Sequence, residues 1–198
     1  ITDGDGDTAN ATLTIDITDA GVSITDLNDD TVSSDVMVNE SKLVDGTGVG
    51  AGSDSVNGDF TINSVDGVAE LSITHNGSTY DIAINNVTQA LPTITTALGN
   101  TLEITGYNDS TGVVTYSYTL LDGETHSVSG RDDLFESFQV NLEDMDGDTA
   151  TDALSVRIVD DIPVITQNTG NAVAAGVDES TLGTDATADF SVLFSADH

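Results

Sequence analysis

Apolar and polar residues alternate along most of the 198-residue chain. Val114, Tyr116, Tyr118 and Leu120 fall on one face of an extended segment, while Thr115, Ser117 and Thr119 fall on the other. The same period of two recurs at Leu71 and Ile73, at Tyr80, Ile82 and Ile84, and at Leu102 and Ile104. It appears again at Phe138, Val140 and Leu142, and at Leu154, Val156 and Ile158. Side chains alternate across a β-strand, so each run predicts a strand with one buried face and one solvated face. Asn76-Gly77 separates LSITH from STYDIAI, and that pair suits the positive φ values of a two-residue type I′ hairpin turn. Residues 86–98 (NVTQALPTITTAL) read as a loop, because Pro92 and the Thr run oppose a helical turn near Gln89 to Leu91. Short strands with turns about every 8–12 residues predict an all-β fold, an immunoglobulin-like antiparallel β-sandwich with Greek-key connections.

The pattern also repeats on a longer scale. Residues 5–19 read DGDTANATLTIDITD and residues 146–160 read DGDTATDALSVRIVD, an offset of 141. VNES at 38–41 answers VDES at 177–180, and GDFTI at 58–62 answers ADFSV at 188–192. The landmarks keep their order in both copies. The chain therefore divides into the C-terminal tail of a preceding repeat (1–19), a complete sandwich repeat (20–160) and the N-terminal part of a following repeat (161–198), a window on a tandem array.

Charge narrows the functional classes. There are 35 Asp and Glu against three basic residues, Lys42, Arg131 and Arg157, for a net charge of −32. Such a surface repels phosphate backbones and anionic headgroups, so nucleic acid and membrane surfaces are excluded as partners. No apolar run of about 18 residues is present, and no basic region leads into an apolar stretch as in a secretory signal. Absence of Cys removes disulfides and thiolate chemistry. Disorder is opposed by the 37% apolar content and its regular alternation. With so few basic side chains, the expected counter-ions are metal cations.

The acidic residues are themselves patterned. Asp3, Asp5 and Asp7 lie in DGDGDT, and Asp144, Asp146 and Asp148 in DMDGDT. Carboxylates two residues apart, with Gly letting the backbone curl, converge on one hard cation, and Ca²⁺ accepts six to eight oxygens at flexible geometry. An EF-hand is excluded, since the twelfth position from Asp144 is Ser155 and a strand pattern follows. The glycine-aspartate nonapeptide of a Ca²⁺ β-roll is absent too. Asp160-Asp161 precede Ile162-Pro163 at the unit boundary, and Asp19 answers Asp160 at the earlier one, where Ala20 and Val22 replace the second Asp and the Pro. The candidate Ca²⁺ ligands are thus Asp3, Asp5, Asp7, Asp19, Asp144, Asp146, Asp148, Asp160 and Asp161, with the DMDGD cluster expected beside Asp160-Asp161 at a domain junction.

Catalytic constellations are missing. His75, His126 and His198 are scattered, without an HExxH pair, and read as exposed polar residues. No GxSxG elbow accompanies the Ser residues, and GTGVGAG at 46–52 lacks the strand and helix of a dinucleotide site, so it reads as a flexible loop. Lys42 lies near Glu40 on a strand-like run and reads as a solvated cation pairing with the acidic surface rather than as an isopeptide former. The protein is expected not to be an enzyme.

ITTALGNTLEITGYNDSTGVVTYSYTLLDGETHS (94–127) and FQVNLEDMDGDTATDALSVRIVDDIPVI (138–165) together resemble the tandem repeat of large RTX-type bacterial adhesins exported by type I secretion. The resemblance implies Ig-like extender modules rigidified by Ca²⁺ at and near the linkers. It implies an extracellular location on a Gram-negative cell, neighbouring repeats of the same chain as partners, and a role in adhesion and biofilm formation. The alternative is a binding module whose loops, such as 44–57 or 122–133, contact a glycan or a host or partner protein.

Overall fold

The computed structural model describes residues 1–16, 18–28, 33–48, 52–126 and 132–162. VDES at 177–180, ADFSV at 188–192, Pro163, Arg131 and His198 lie outside them. Among the described residues the chain forms β1 (Ser23–Thr25), β2 (Val36–Asn39), a 3-10 helix (Glu40–Lys42), β3 (Asp54–Asn63) and β4 (Val68–His75). Next come β5 (Ser78–Ile84), β6 (Val87–Thr88), β7 (Thr93–Thr95), β8 (Thr101–Asn108), β9 (Val113–Leu120), β10 (Leu134–Asp144) and β11 (Thr149–Val159).

The strands form two sheets, ordered β1-β3-β9-β8-β7 and β2-β11-β10-β4-β5-β6. The result is an all-β sandwich compatible with the immunoglobulin-like arrangement. Every alternating run in the sequence lies in one of these strands. Asn76 (φ 49°) and Gly77 (φ 78°) join β4 to β5 as the type I′ expectation requires.

Three expectations need correction. The sheets are not wholly antiparallel, because β2 pairs with β11 in parallel, from Val36 opposite Val156 to Asn39 opposite Val159. The chain crosses from β1, at the edge of one sheet, to the open edge of the other, and there it runs the same way as β11. Residues 86–98 are not all loop, since β6 and β7 pair with β5 and β8. Ladder hydrogen bonds organise segments too short to show a period. Lys42 ends the 3-10 helix, where Asn39 caps the first turn by accepting from Ser41 N–H at 2.9 Å.

Strand direction defines two poles. The chain enters where β3 and β10 end, the N-terminal pole, and leaves where β2, β9 and β11 end, the C-terminal pole. Between them Phe60, Tyr116, Tyr118, Phe138, Leu71 and Ile73 are fully buried, and Tyr118 meets Phe138 edge-on across the sheets with ring centroids 6.4 Å apart. Gly58 stands opposite Tyr116, and a Cβ there would overlap the Tyr116 ring. The core thus depends on a missing methyl group at that rung, and overpacking it costs about 1–3 kcal/mol. No helix among the described residues is long and apolar enough to cross a membrane.

Candidate metal centre

At the N-terminal pole the inward-facing row of β10 runs Glu136, Phe138, Val140, Leu142, Asp144, all buried. Asp144 therefore occupies a core position at the strand end, where the β4–β10 register shifts by a bulge. Its Oδ1 accepts backbone N–H groups from Gly147 (3.0 Å) and Asp148 (2.7 Å), closing the turn to β11. Gly147 sits at φ +102°, a conformation that favours glycine. The other oxygen, Asp144 Oδ2, is buried without a hydrogen-bond partner, in a residue only 1% exposed.

Other carboxylates converge on this turn. Asp19, Asp146 and Asp148 each offer an oxygen within 4.8 Å of the others, and so do Asp66, Asp144 and Asp146. Asp66 belongs to the β3–β4 turn, which docks through Met145 N–H donating to Gly67 O at 3.1 Å. Asp19 comes from the entering chain, whose Gly21 lies against the Asp148 carboxylate. Four carboxylates, Asp19, Asp66, Asp144 and Asp148, thus surround Asp146, and the five come from three segments. Its hydrogen bond to Asp144, burial, and the charges of Asp144, Asp19 and Asp66 push its carboxyl up to about 6. Asp144 is held below the usual range, first by that same hydrogen bond. Carboxylates crowded this closely repel one another, and a cation between them relieves that repulsion.

The first acidic cluster folds in the same way. Asp3 N–H donates to Asp7 O and Asp7 N–H to Asp3 Oδ1, both at 2.9 Å, and Gly6 has φ +100°. Asp3, Asp5 and Asp7 lie within one ion's reach, yet all are exposed.

Asp160 and Asp161 do not join the DMDGD turn. All eleven residues of β11 separate them from it, roughly 35 Å at about 3.3 Å per residue. The expectation that the two sets meet at one junction is corrected accordingly, and the carboxylate reaching the turn from the linker is Asp19. At the C-terminal pole Asp160 Oδ2 accepts from Asp132 N–H at 3.2 Å, and Asp161 accepts from Thr47 N–H and hydroxyl. Glu40, 3% exposed, accepts N–H bonds from Glu124 (2.7 Å) and Asp161 (3.3 Å). His126 Nε2 lies 3.2 Å from both Glu40 oxygens. His126 is not an exposed polar residue, since its side chain is 8% exposed. Burial alone would lower its pKa, but the hydrogen bond it donates to Glu40 and the charges of Glu40 and Asp160 hold it above the usual imidazole range. Glu124 is raised by burial, against the Asn100 hydrogen bond that lowers it. Lys42, itself largely exposed, pairs with the buried Asp54 carboxylate at 3.0 Å.

Sequence reasoning missed Glu40 and His126. A signal for Glu40 was present, because it continues the buried row Val36, Val38 past the end of β2. For His126 the local sequence carries none, since its neighbours are brought by three separate segments. No family model matches the chain, and neither a curated protein nor a solved structure does.

Proposed function

We propose that the protein is a Ca²⁺-stabilised extender: a non-enzymatic repeat, spanning 20–160, of a surface adhesin that holds a ligand-binding tip away from a Gram-negative cell. One observation carries the reading. Asp19, upstream of the sandwich, meets Asp146 and Asp148 on its β10–β11 turn. An ion bound there takes ligands from both the entering chain and the domain, and the orphaned Asp144 Oδ2 and Asp66 complete an oxygen-only set suited to Ca²⁺. The ion removes the repulsion among these carboxylates and staples the linker to the sandwich, so the module supplies reach and stiffness.

Thermal unfolding tests it. For a site with Kd of about 10⁻⁴ M, ~10 mM Ca²⁺ stabilises the fold by roughly 2.7 kcal/mol, or a rise of roughly 5–10 °C in Tm. Mg²⁺ substitutes poorly because it keeps its waters and demands an octahedron. Equal Tm values in EDTA and CaCl₂ would refute the reading.

A further inference from the structure

The C-terminal pole holds a second group with different chemistry. Glu40, Asp54, Glu124, Glu136, Asp160 and Asp161 are all buried there, none more than 8% exposed. Buried carboxylates demand compensation, because losing water disfavours the charged form. Among the described residues, Lys42 is engaged with Asp54 and Arg157 with Asp133, while Tyr118 and Asn100 donate to Glu136 and Glu124. That leaves the His126 imidazole as the basic group facing Glu40 and Asp160.

The geometry is that of a ligand set. His126 Nε2 stands 3.2 Å from Glu40 Oε1, 3.2 Å from Oε2 and 3.8 Å from Asp160 Oδ1. Ligand atoms bound tetrahedrally at about 2.0–2.2 Å sit roughly 3.4 Å apart, within the spread of these distances. Backbone N–H groups of Glu124 and Asp161 orient Glu40, and that of Asp132 orients Asp160, as outer-shell donors do around bound metals. The independent sign is Asp160 Oδ1, which has no hydrogen-bond partner although its side chain is 4% exposed and faces the imidazole. A nitrogen donor is unsuited to Ca²⁺, whereas one imidazole with two carboxylates is a donor set for borderline divalent cations.

We propose that Glu40, His126 and Asp160 form a binding site for a zinc-class divalent cation, with water completing the shell. The ion would tie the 3-10 helix after β2, the chain after β9 and the exit from β11 at a single point.

The test is calorimetric titration of the metal-stripped full chain with Zn²⁺ in millimolar Ca²⁺, which occupies the oxygen-only sites. One saturable equivalent is expected, weakened at least about 100-fold by His126→Ala and also weakened by Glu40→Gln. His75→Ala should leave it unchanged. X-ray absorption of the Zn²⁺-loaded wild-type chain should show an imidazole in the shell, and it decides the matter without any variant if His126→Ala does not fold. An unchanged isotherm in folded His126→Ala, or an oxygen-only shell, would overturn the proposal. Asp146→Ala should retain Zn²⁺ binding while losing the Ca²⁺ response, so either site can fail with the other standing.

Discussion

The two poles of the sandwich answer the same problem in opposite ways. At the N-terminal pole carboxylates crowd a hairpin turn, and five side chains from three segments share no basic partner within the cluster. At the C-terminal pole buried carboxylates are met one by one by backbone N–H groups, a tyrosine, an asparagine and an imidazole. The first pole is open to the entering chain, while the second meets Glu40, Glu124 and Glu136 from within the same sandwich and leaves Asp160 Oδ1 without a hydrogen-bond partner. Asp19 and Asp160 match across the 141-residue offset, and together they show both neighbours of that position: Asp19 lies against the turn of the sandwich that follows it, and Asp160 lies against Glu40 of the sandwich that precedes it.

The largest expected effect separates the poles outright. Asp144→Asn keeps the Oδ1 acceptor that closes the turn but removes the charge, so it should abolish most of the roughly 2.7 kcal/mol Ca²⁺ stabilisation. It should leave the metal-free Tm within a few degrees, as read by circular dichroism melting. A full Ca²⁺ response in this variant would erase the distinction drawn here.

Glu40→Ala should cost about 1–3 kcal/mol without any metal, because it leaves the N–H groups of Glu124 and Asp161 unpaired. Urea unfolding in EDTA measures this, and a neutral result would mean that the C-terminal pole is not held by that carboxylate. Asp19→Ala should be milder. It removes one ligand from the linker side, lowering Ca²⁺ affinity by about tenfold, or about 1.4 kcal/mol. Small-angle scattering on two consecutive units should then show broader bending in Ca²⁺ than the wild type shows, approaching the profile in EDTA.

The smallest effect is a pH slope. Asp146 is raised in the folded state, so the fold binds more protons than the unfolded chain between the ordinary Asp range and about 6. In EDTA, stability should fall as pH rises through that window and level off above it. Asp144, shifted the other way, adds stability above the ordinary Asp range that is lost at lower pH. Ca²⁺ should flatten the Asp146 slope by displacing the proton that its raised carboxyl holds, and equal slopes with and without Ca²⁺ would remove that role.

Period-two runs made the core strands legible, because burial of one face writes itself directly into sequence. Strands β1, β6 and β7, with two or three residues each, were not legible, since their pairing is decided by neighbours. The recurrent DGD pattern identified both turns, and their matching hydrogen bonds follow from Asp at the first position and Gly at the fourth. Pairing the second turn with Asp160-Asp161 failed because nearness in sequence across a whole strand is distance in space. Buried carboxylates were readable in principle at positions where an apolar row ends in Asp or Glu, as at Glu136, Asp144 and Glu40.

The single parallel pair has a mechanical consequence. Load applied at the two ends of the sandwich draws β2 toward the N-terminal pole and β11 toward the C-terminal pole, along the axes of strands that lie side by side. Their rungs from Val36–Val156 to Asn39–Val159, extended by Asp35 N–H donating to Ser155 O at 3.0 Å, are then sheared together rather than opened one after another like a zip. Such a clamp yields only when several hydrogen bonds break at once, so the four-residue edge strand sets the force at which the sandwich opens.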